Sequence, residues 1–266
     1  ERIEPKGSDD TVLVVGAGPA GLEAARALGQ RGYDVTLAEA GTEMGGRVTH
    51  ESRLPGLSAW ARARDWRVGR IQEMTNVDVF LGSRLSVEDV LEYGFSHVVV
   101  ATGAHWRADG VGVSNWQPIQ GSDQAHVLTP EHIYAGVAIA DPVLVFDDDN
   151  FYLGAVIADK LTGDGHAVTL VTTASKVSSW TENTLEQHRI QARVLELGIE
   201  VVTAHTIAQI HADKVECTCI FTNHLRTVTA RSVVMVTSRQ PNNQIYLALR
   251  ENPEKLASAG IRSVSA

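Results

Sequence analysis

Two stretches of the chain share one order of apolar and polar positions. An apolar run at residues 12–15 is followed by a glycine-rich turn, an alanine-rich segment and a second apolar run at 35–37. Residues 142–172 repeat that order, with apolar runs at 143–146 and 168–171 around a segment of helical spacing. Short apolar runs that alternate with helices are typical of parallel strands in βαβ units. The repetition predicts two Rossmann-like α/β domains, each with three layers.

Other apolar segments extend both units. Strands are predicted at 77–81 and 97–101, and apolar residues at helical spacing predict a helix over 184–197. Short alternating stretches after this helix predict an antiparallel meander that closes the second domain. These stretches are residues 207–210, 215–221, 225–229 and 233–236.

These patterns divide the chain into four segments. We assign a linker to 1–10 and a dinucleotide-binding domain of the ADP or FAD type to 11–125. A degenerate Rossmann domain of the NAD type follows at 126–240, and 241–266 is a return segment to the first domain.

Charge and composition narrow the classes of partner. The 266 residues carry a formal net charge of −9, and scattered basic residues disfavour nucleic acid and anionic membranes as partners. No apolar run reaches the ~20 residues that span a bilayer, and the polar start is unlike a secretion signal. We expect a cytoplasmic protein with a soluble partner or a small ligand.

Cys217 and Cys219 are the only cysteines of the chain. Two cysteines are too few for a disulfide framework or a four-thiolate metal site. Residues i and i+2 of a strand face the same side, so the pair predicts apolar packing on one side of the strand at 215–221.

The first repeat contains a G-x-G-x-x-G turn at Gly16, Gly18 and Gly21, between an apolar strand and a helix. Gly16 permits the tight turn, Gly18 lets the backbone approach a pyrophosphate, and Gly21 lets the helix pack on the strand. The free N–H groups and the dipole of the helix favour phosphate. Glu39 ends the next strand, where it suits a ribose 2′-hydroxyl and repels the 2′-phosphate of NADP. The alternative is that these glycines serve packing alone.

Gly45-Gly46-Arg47 and the strand end Thr102-Gly103 resemble the flavoprotein disulfide-reductase superfamily. In that superfamily the first motif lies by the pyrophosphate and the second closes the dinucleotide domain. Together with the glycine turn they favour an FAD-type site over an NAD-type one. The candidate cofactor-binding residues are Gly16, Gly18, Pro19, Ala20, Gly21, Glu39, Ala40, Gly46, Arg47, Leu85, Ala101, Thr102 and Gly103.

The second repeat lacks these features. When Gly154 is aligned with Gly21, Asp149 and Phe151 replace the first two glycines and Thr172 replaces Glu39. Carboxylates repel phosphate and side chains block close backbone approach, so we predict that no nicotinamide dinucleotide binds here. The aspartates at 147–149 either cap the next helix, which we favour, or hold a divalent cation. We expect no metal site in the chain.

Two further segments are specific, Leu-Pro-Gly-Leu at 54–57 and Ala-Thr-Gly-Ala-x-Trp at 101–106. With them, the chain resembles the C-terminal half of the trimethylamine, dimethylamine and histamine dehydrogenase family, most of all histamine dehydrogenase. The resemblance extends over nearly the whole chain through residues 12–25, 43–47, 54–60, 98–106, 177–181 and 234–237.

The resemblance implies a role in a larger protein. Members of this family carry an N-terminal FMN-binding β/α barrel that oxidises the amine and a 4Fe–4S cluster that accepts the electrons. The C-terminal pair of domains holds ADP as a non-redox ligand, and electrons leave to an electron-transferring flavoprotein. The resemblance is also compatible with a homodimer of the complete enzyme. Since the barrel and the cluster cysteines lie outside this sequence and its start lacks Met, we expect a piece of a larger protein.

The end of the chain bears on the choice between ADP and FAD. The flavoprotein superfamily completes its dinucleotide domain with a late strand and a Gly-Asp pair. The sequence ends at Ser265-Ala266, and neither feature is expected before that point. This expectation favours ADP over FAD.

The sequence therefore predicts the ADP-holding portion of a flavin- and iron–sulfur-dependent amine dehydrogenase, without catalytic residues in this chain. His105 and His188 are predicted at the surface or in packing roles, and Trp180 and Tyr152 on the face that meets the electron acceptor. One alternative is an FAD-dependent NAD(P)H oxidoreductase. Another is a nucleotide-binding module without a redox role.

Overall fold

The structure is a computed structural model that describes residues 3–266; the first two residues of the predicted linker lie outside it. Its strands are β1 (Thr11–Val15), β2 (Asp34–Ala38), β3 (Val77–Phe80), β4 (His97–Val100), β5 (Ala104–Trp106), β6 (Val127–Leu128), β7 (Val143–Asp147), β8 (Val168–Thr172), β9 (Glu200–Val202), β10 (His205–Ile210), β11 (Lys214–Cys219), β12 (Leu225–Thr229), β13 (Ser232–Val236), β14 (Arg239–Pro241) and β15 (Ser263–Ser265). Its α-helices are α1 (Pro19–Arg31), α2 (Arg47–Glu51), α3 (Ala61–Gln72), α4 (Val87–Tyr93), α5 (Pro130–Tyr134), α6 (Leu153–Gly163), α7 (Gln187–Glu196), α8 (Gln244–Arg250) and α9 (Pro253–Ser258).

The chain divides into two compact units. The first contains the residues up to Ala104 together with Pro241–Ala266, and the second is His105–Gln240. The structure thus places residues 105–125 in the second unit, whereas the sequence analysis placed them in the first. The reason is packing, because Ile119 is buried in the hydrophobic core of the second unit.

The first unit is built on a parallel sheet of five strands in the order β15-β4-β1-β2-β3. Alternate residues of β1 point to opposite faces of this sheet. Val12 and Val14 pack with residues of α1 and α3 on one face, and Leu13 and Val15 pack with α4, α8 and α9 on the other. The apolar run of β1 is therefore buried on both sides, as in other parallel sheets covered by helices.

The return segment supplies a late strand to the first unit. In β15, Ser263 and Val264 lie opposite His97 and Val98 of β4 in parallel register. The expectation that this strand would be missing was wrong. The strand escapes sequence analysis because it is three residues long and only Val264 is apolar. The preference for ADP over FAD therefore loses the support that it drew from a missing strand.

The second unit has a parallel sheet in the order β6-β13-β7-β8-β9, with α6 and α7 on one face and the antiparallel sheet β10-β11-β12 on the other. The expectation that 233–236 would join the meander was wrong, because β13 lies in the parallel sheet between β6 and β7. All five residues of β13 are buried, which is the pattern of a central parallel strand. With this change, the predicted α/β fold of two Rossmann-like units and an antiparallel meander is confirmed.

The two cysteines lie on β11. Cys217 is buried in the core of the second unit, where burial raises the pKa of its thiol to about 12, and Cys219 is half-buried. Within residues 3–266, no helix combines the length and the apolar composition needed to cross a bilayer.

Helix α8 tests whether the return segment is part of the first core. Leu249 is 1% exposed and packs under the sheet, whereas Leu247 on the same helix is 46% exposed. We predict that Leu249→Ala lowers the free energy of unfolding by about 2–5 kcal/mol, since it removes buried contacts and leaves a cavity. Leu247→Ala is the control and should change stability by no more than about 0.5 kcal/mol. Urea denaturation measures both, and equal effects would contradict this packing.

Candidate functional site

The glycine turn between β1 and α1 is fixed by two close backbone contacts. Gly16 has φ +102°, and a Cβ placed on it would lie 2.4 Å from the carbonyl oxygen of Ala101. A Cβ on Gly21 would lie 1.8 Å from the carbonyl oxygen of Gly16. No side chain fits at either position, so α1 begins in contact with the ends of β1 and β4.

Gly18 differs from these two glycines. A Cβ placed on it would meet no atom of the part of the chain that the structure describes within 4 Å, so the residue faces open space at the carboxyl edge of the sheet. It is the N-cap of α1 and no side chain caps the helix there. Pro19 and Ala20, the first two helical residues, are exposed. The first turn of a helix has N–H groups without intrahelical partners, so this end of α1 is suited to an anion.

Glu39 is held beside the same turn by backbone donors. The N–H of Ala17 donates to Oε2 over 2.7 Å and the N–H of Gly41 donates to Oε1 over 2.7 Å. These bonds orient the half-buried carboxylate and leave further lone pairs as acceptors. Ala40, the next residue, is exposed.

The second glycine motif packs over the first. The N–H of Gly45 donates to the carbonyl oxygen of Ala17 over 2.8 Å, and a Cβ on Gly46 would lie 3.0 Å from Cα of Gly18. Both glycines have positive φ, +122° and +53°. Arg47 follows at the start of α2, where its guanidinium pairs over 3.3 Å with the buried carboxylate of Glu51.

Two residues that sequence analysis missed support this loop. The stem of Arg64 fills the space beside Gly45, since a Cβ there would lie 2.3 Å from Cδ of the arginine. Arg64 also donates to Oγ1 of the buried Thr49 over 3.2 Å. Arg64 escapes sequence analysis because it comes from α3 and meets the loop only in the folded chain.

The remaining candidates lie at strand ends. Thr102 donates its hydroxyl to the carbonyl oxygen of Asn242, and the N–H of Asn242 donates to the carbonyl oxygen of Gly103 over 2.9 Å. Leu85 lines a cavity of about 340 Å³ that Ala38 also lines. The other residues around this cavity are Leu13, Thr36, Phe80, Ser83, Tyr93 and Phe95.

The corresponding position of the second unit is filled by its own side chains. Asp147 packs against Gly154, where a Cβ would lie 2.3 Å from the Cγ of that carboxyl group. Thr172, in the place of Glu39, donates to the side chain of Asn150 over 2.9 Å. The expected helix capping by the aspartates was wrong, since Tyr152 is the N-cap of α6 and no side chain caps it.

Asp147 has an altered pKa for a physical reason. Its side chain is completely buried, and burial is the main cause that raises its pKa from 3.8 to about 8, with smaller contributions from Asp149 and Asp148. Oδ1 accepts the N–H of Asn150 over 2.9 Å, while Oδ2 has no hydrogen-bond partner among residues 3–266. Among the described residues, no group of three or more His, Cys, Asp and Glu side chains is arranged to hold a metal ion.

The other residues singled out in the sequence lie in the second unit. Trp180 is 62% exposed. Tyr152 donates its hydroxyl to Glu186, and its ring packs edge-on against Phe151 at a centroid distance of 4.4 Å. His105 and His188 are exposed.

Comparison with known proteins places this geometry in a family. A family model described as pyridine nucleotide-disulphide oxidoreductase matches residues 10–136, and one described as OYE-like second alpha/beta domain matches residues 128–243. Dimethylamine dehydrogenase of Hyphomicrobium sp. (strain x) is 34% identical over 99% of this chain and 39% of its own length. The structure of histamine dehydrogenase from Rhizobium sp. 4-9 matches all of this chain with 45% identity and a TM-score of 0.96, over 41% of its own chain.

The chain belongs to the dimethylamine and histamine dehydrogenase family. A second solved structure, that of 6-hydroxypseudooxynicotine amine oxidase from Pseudomonas geniculata N1, matches all of this chain with 43% identity and a TM-score of 0.95, over 40% of its own chain. The resemblance stated from the sequence is thereby confirmed. The chain spans about two fifths of the length of these relatives. Thioredoxin reductase of T. acidophilum, at 13% identity and a TM-score of 0.61, shows likeness of fold alone.

The raised pKa of Asp147 predicts how the folding stability of this chain depends on pH. Between pH 4 and pH 8 the unfolded state releases this proton and the folded state keeps it, so stability falls as the pH rises toward about 8. Asp147→Asn removes this contribution, and the fall in melting temperature from pH 5 to pH 8 should become smaller. Asp164→Asn, at an exposed ion pair, is the control. An unchanged pH profile in Asp147→Asn would contradict a buried, protonated carboxyl group.

Proposed function

We propose that the first unit binds the ADP moiety of an adenine nucleotide, with ADP itself as the resident ligand, as the nucleotide-holding portion of an amine-oxidising enzyme. One observation supports this most strongly. The space above Gly18 is open at the N-terminus of α1, although Gly16, Gly21 and Gly46 around it are in close backbone contact. A cradle of this kind accepts a diphosphate, and a side chain at Gly18 would fill it.

The diphosphate would meet the first turn of α1. Backbone N–H groups and the positive end of the helix dipole stabilise phosphate oxygens there without a positively charged side chain. Pro19 has no N–H to lose at the first helical position and presets its φ for the helix. Arg47 lies at the start of α2, next to Gly46, and Glu51 orients its guanidinium.

The ribose would bind Glu39. Because Ala17 and Gly41 donate to opposite oxygens, the carboxylate is already oriented before a ligand arrives and little side-chain entropy is lost on binding. A 2′-hydroxyl can donate to it, whereas a 2′-phosphate would be repelled. The cavity lined by Ala38 and Leu85 lies along the face of the sheet beside β2, since Thr36 also lines it, and its volume is large enough for an adenine ring.

In this proposal the nucleotide is structural. FMN and a 4Fe–4S cluster would belong to parts of the complete protein outside this chain, and electrons would pass to an electron-transferring flavoprotein. The names of the related dimethylamine and histamine dehydrogenases support an amine as the substrate class. No residue of this chain is assigned to the chemical step. Trp180, exposed on the second unit, is the residue we propose for contact with the electron acceptor.

FAD is the alternative ligand, because its ADP half would use the same residues. Strand β15 supports FAD as the alternative, because a late strand completes the dinucleotide domains that hold FAD in the flavoprotein superfamily. FAD bound in this unit would give the protein a flavin absorbance that is retained after removal of FMN. ADP would leave no visible absorbance from this unit.

Gly18 provides the direct test of the diphosphate cradle. We predict that Gly18→Val lowers the affinity for ADP about a hundredfold or more, because it removes two or more charge-assisted hydrogen bonds. Folding should be unaffected, since the new side chain meets open space and Gly18 has φ −69°. Gly69→Val on α3 is the matched control, as that glycine also faces open space. Calorimetry of the nucleotide-free protein measures both, and unchanged ADP affinity in Gly18→Val would refute the cradle.

Glu39 provides a test of the ribose contact. We predict that ADP binds more tightly than its 2′-phosphorylated counterpart, and that Glu39→Gln weakens ADP about tenfold to a hundredfold, since a charged hydrogen bond is lost. The same change should reduce the discrimination against the 2′-phosphate, because the repelling charge is gone. Competition binding with both nucleotides gives the ratio. If the ratio is the same in the variant, Glu39 does not read the ribose.

A further inference from the structure

The second unit has a crevice where Rossmann-like sheets bind their ligands. The strand order of its sheet is β6-β13-β7-β8-β9. The chain adds β8 and β9 on one side of β7 and later places β13 on the other side of β7, so the direction of the strand order changes at β7. This change of direction creates a crevice outside the carboxyl ends of β7 and β13, and dinucleotides bind in such crevices. Asp148 follows β7 and Thr237 follows β13.

Residues 111–116, which we call the strap, enter this crevice. Gly112 lies between the two strand ends, because a Cβ placed on it would be 2.5 Å from Oδ2 of Asp148 and 3.2 Å from Cβ of Thr237. Only a glycine allows the strap to come so close. The strap therefore occupies the space that a ligand of this crevice would need.

The strap is fastened on both sides of the crevice. Asp148 is fully buried, and its two oxygens accept the N–H of Ser114 over 2.9 Å and the hydroxyl of Ser114 over 2.6 Å. Thr173 also donates to Asp148 over 2.9 Å. On the other side, the hydroxyl of Ser238, after β13, donates to the carbonyl oxygen of Val111. Hydrogen bonds to a buried carboxylate are stronger than neutral ones, so the contact with Ser114 acts as a latch.

We propose that the strap is an internal occupant of the second unit's nucleotide crevice, latched by Ser114 on Asp148, and that it excludes a nicotinamide dinucleotide. A dinucleotide would have to displace the strap, remove both hydrogen bonds that Ser114 donates to Asp148, and bring its own phosphates next to that carboxylate. Exclusion therefore depends on an autoinhibitory contact as well as on the missing glycines. This inference does not depend on the nucleotide proposed for the first unit.

Amide hydrogen exchange of the purified protein tests the latch. In Ser114→Ala and Asp148→Asn, amides 112–115 should exchange about tenfold to a hundredfold faster than in the wild type, since a charged hydrogen bond restrains them. Ser122→Ala, a serine in the same unit, is the matched control and should leave these amides unchanged. Should Asp148→Asn fail to fold, Ser114→Ala alone decides the result. Unchanged exchange in Ser114→Ala would overturn the latch.

NADH tests the exclusion. With the wild-type protein, millimolar NADH should leave the exchange of amides 112–115 unchanged. If NADH instead protected these amides or accelerated their exchange in a saturable manner, the crevice would be a working dinucleotide site and the proposal would be wrong.

Discussion

The first unit depends on the contact of three backbone positions, Gly16, Gly21 and Ala101. Because no Cβ fits on the two glycines, α1 begins against the ends of β1 and β4 and its first turn faces the carboxyl edge of the sheet. Of the three glycines of the turn, this placement leaves open space at Gly18. Glu39 is then fixed beside it through the N–H of Ala17. The proposed recognition of phosphate and ribose thus follows from one steric constraint on the backbone.

The second unit shows how the same architecture loses such a site. Its parallel sheet, helix and following strand repeat the first unit, yet the carboxyl groups of Asp147 and Asp148 are buried at the end of β7, whereas the turn after β1 has glycines and open space at Gly18. Buried carboxyl groups need hydrogen-bond donors or a proton. The strap donates hydrogen bonds to Asp148, and Asp147 keeps its proton because its pKa is raised. Such a network is stable by itself, but it leaves no room for an anionic ligand. This chain therefore has the Rossmann-like fold in its second unit without the glycine turn of its first unit.

The sequence predicted the features whose physical basis is local. The apolar run of β1, the glycine turn and Glu39 lie close together in the chain, and each residue type has a direct geometric reason. The contacts that it missed are distant in sequence or carried by ordinary residues: Arg64 beside Gly45, the edge strand β15, and the strap on Asp148. The misplacement of β13 in the meander has the same origin, since an apolar run does not say which strand it will pair with. The fold was thus largely predictable, whereas the strap that lies in the second unit's crevice was not.

The most direct measurement is the identity of the nucleotide that the protein carries. Purified protein is denatured, and the released small molecules are separated and identified by mass spectrometry. Their amounts are then expressed as a molar ratio to the protein. The account predicts one equivalent of ADP per chain. One equivalent of FAD that arises from this unit, or no adenine nucleotide at all, would contradict it.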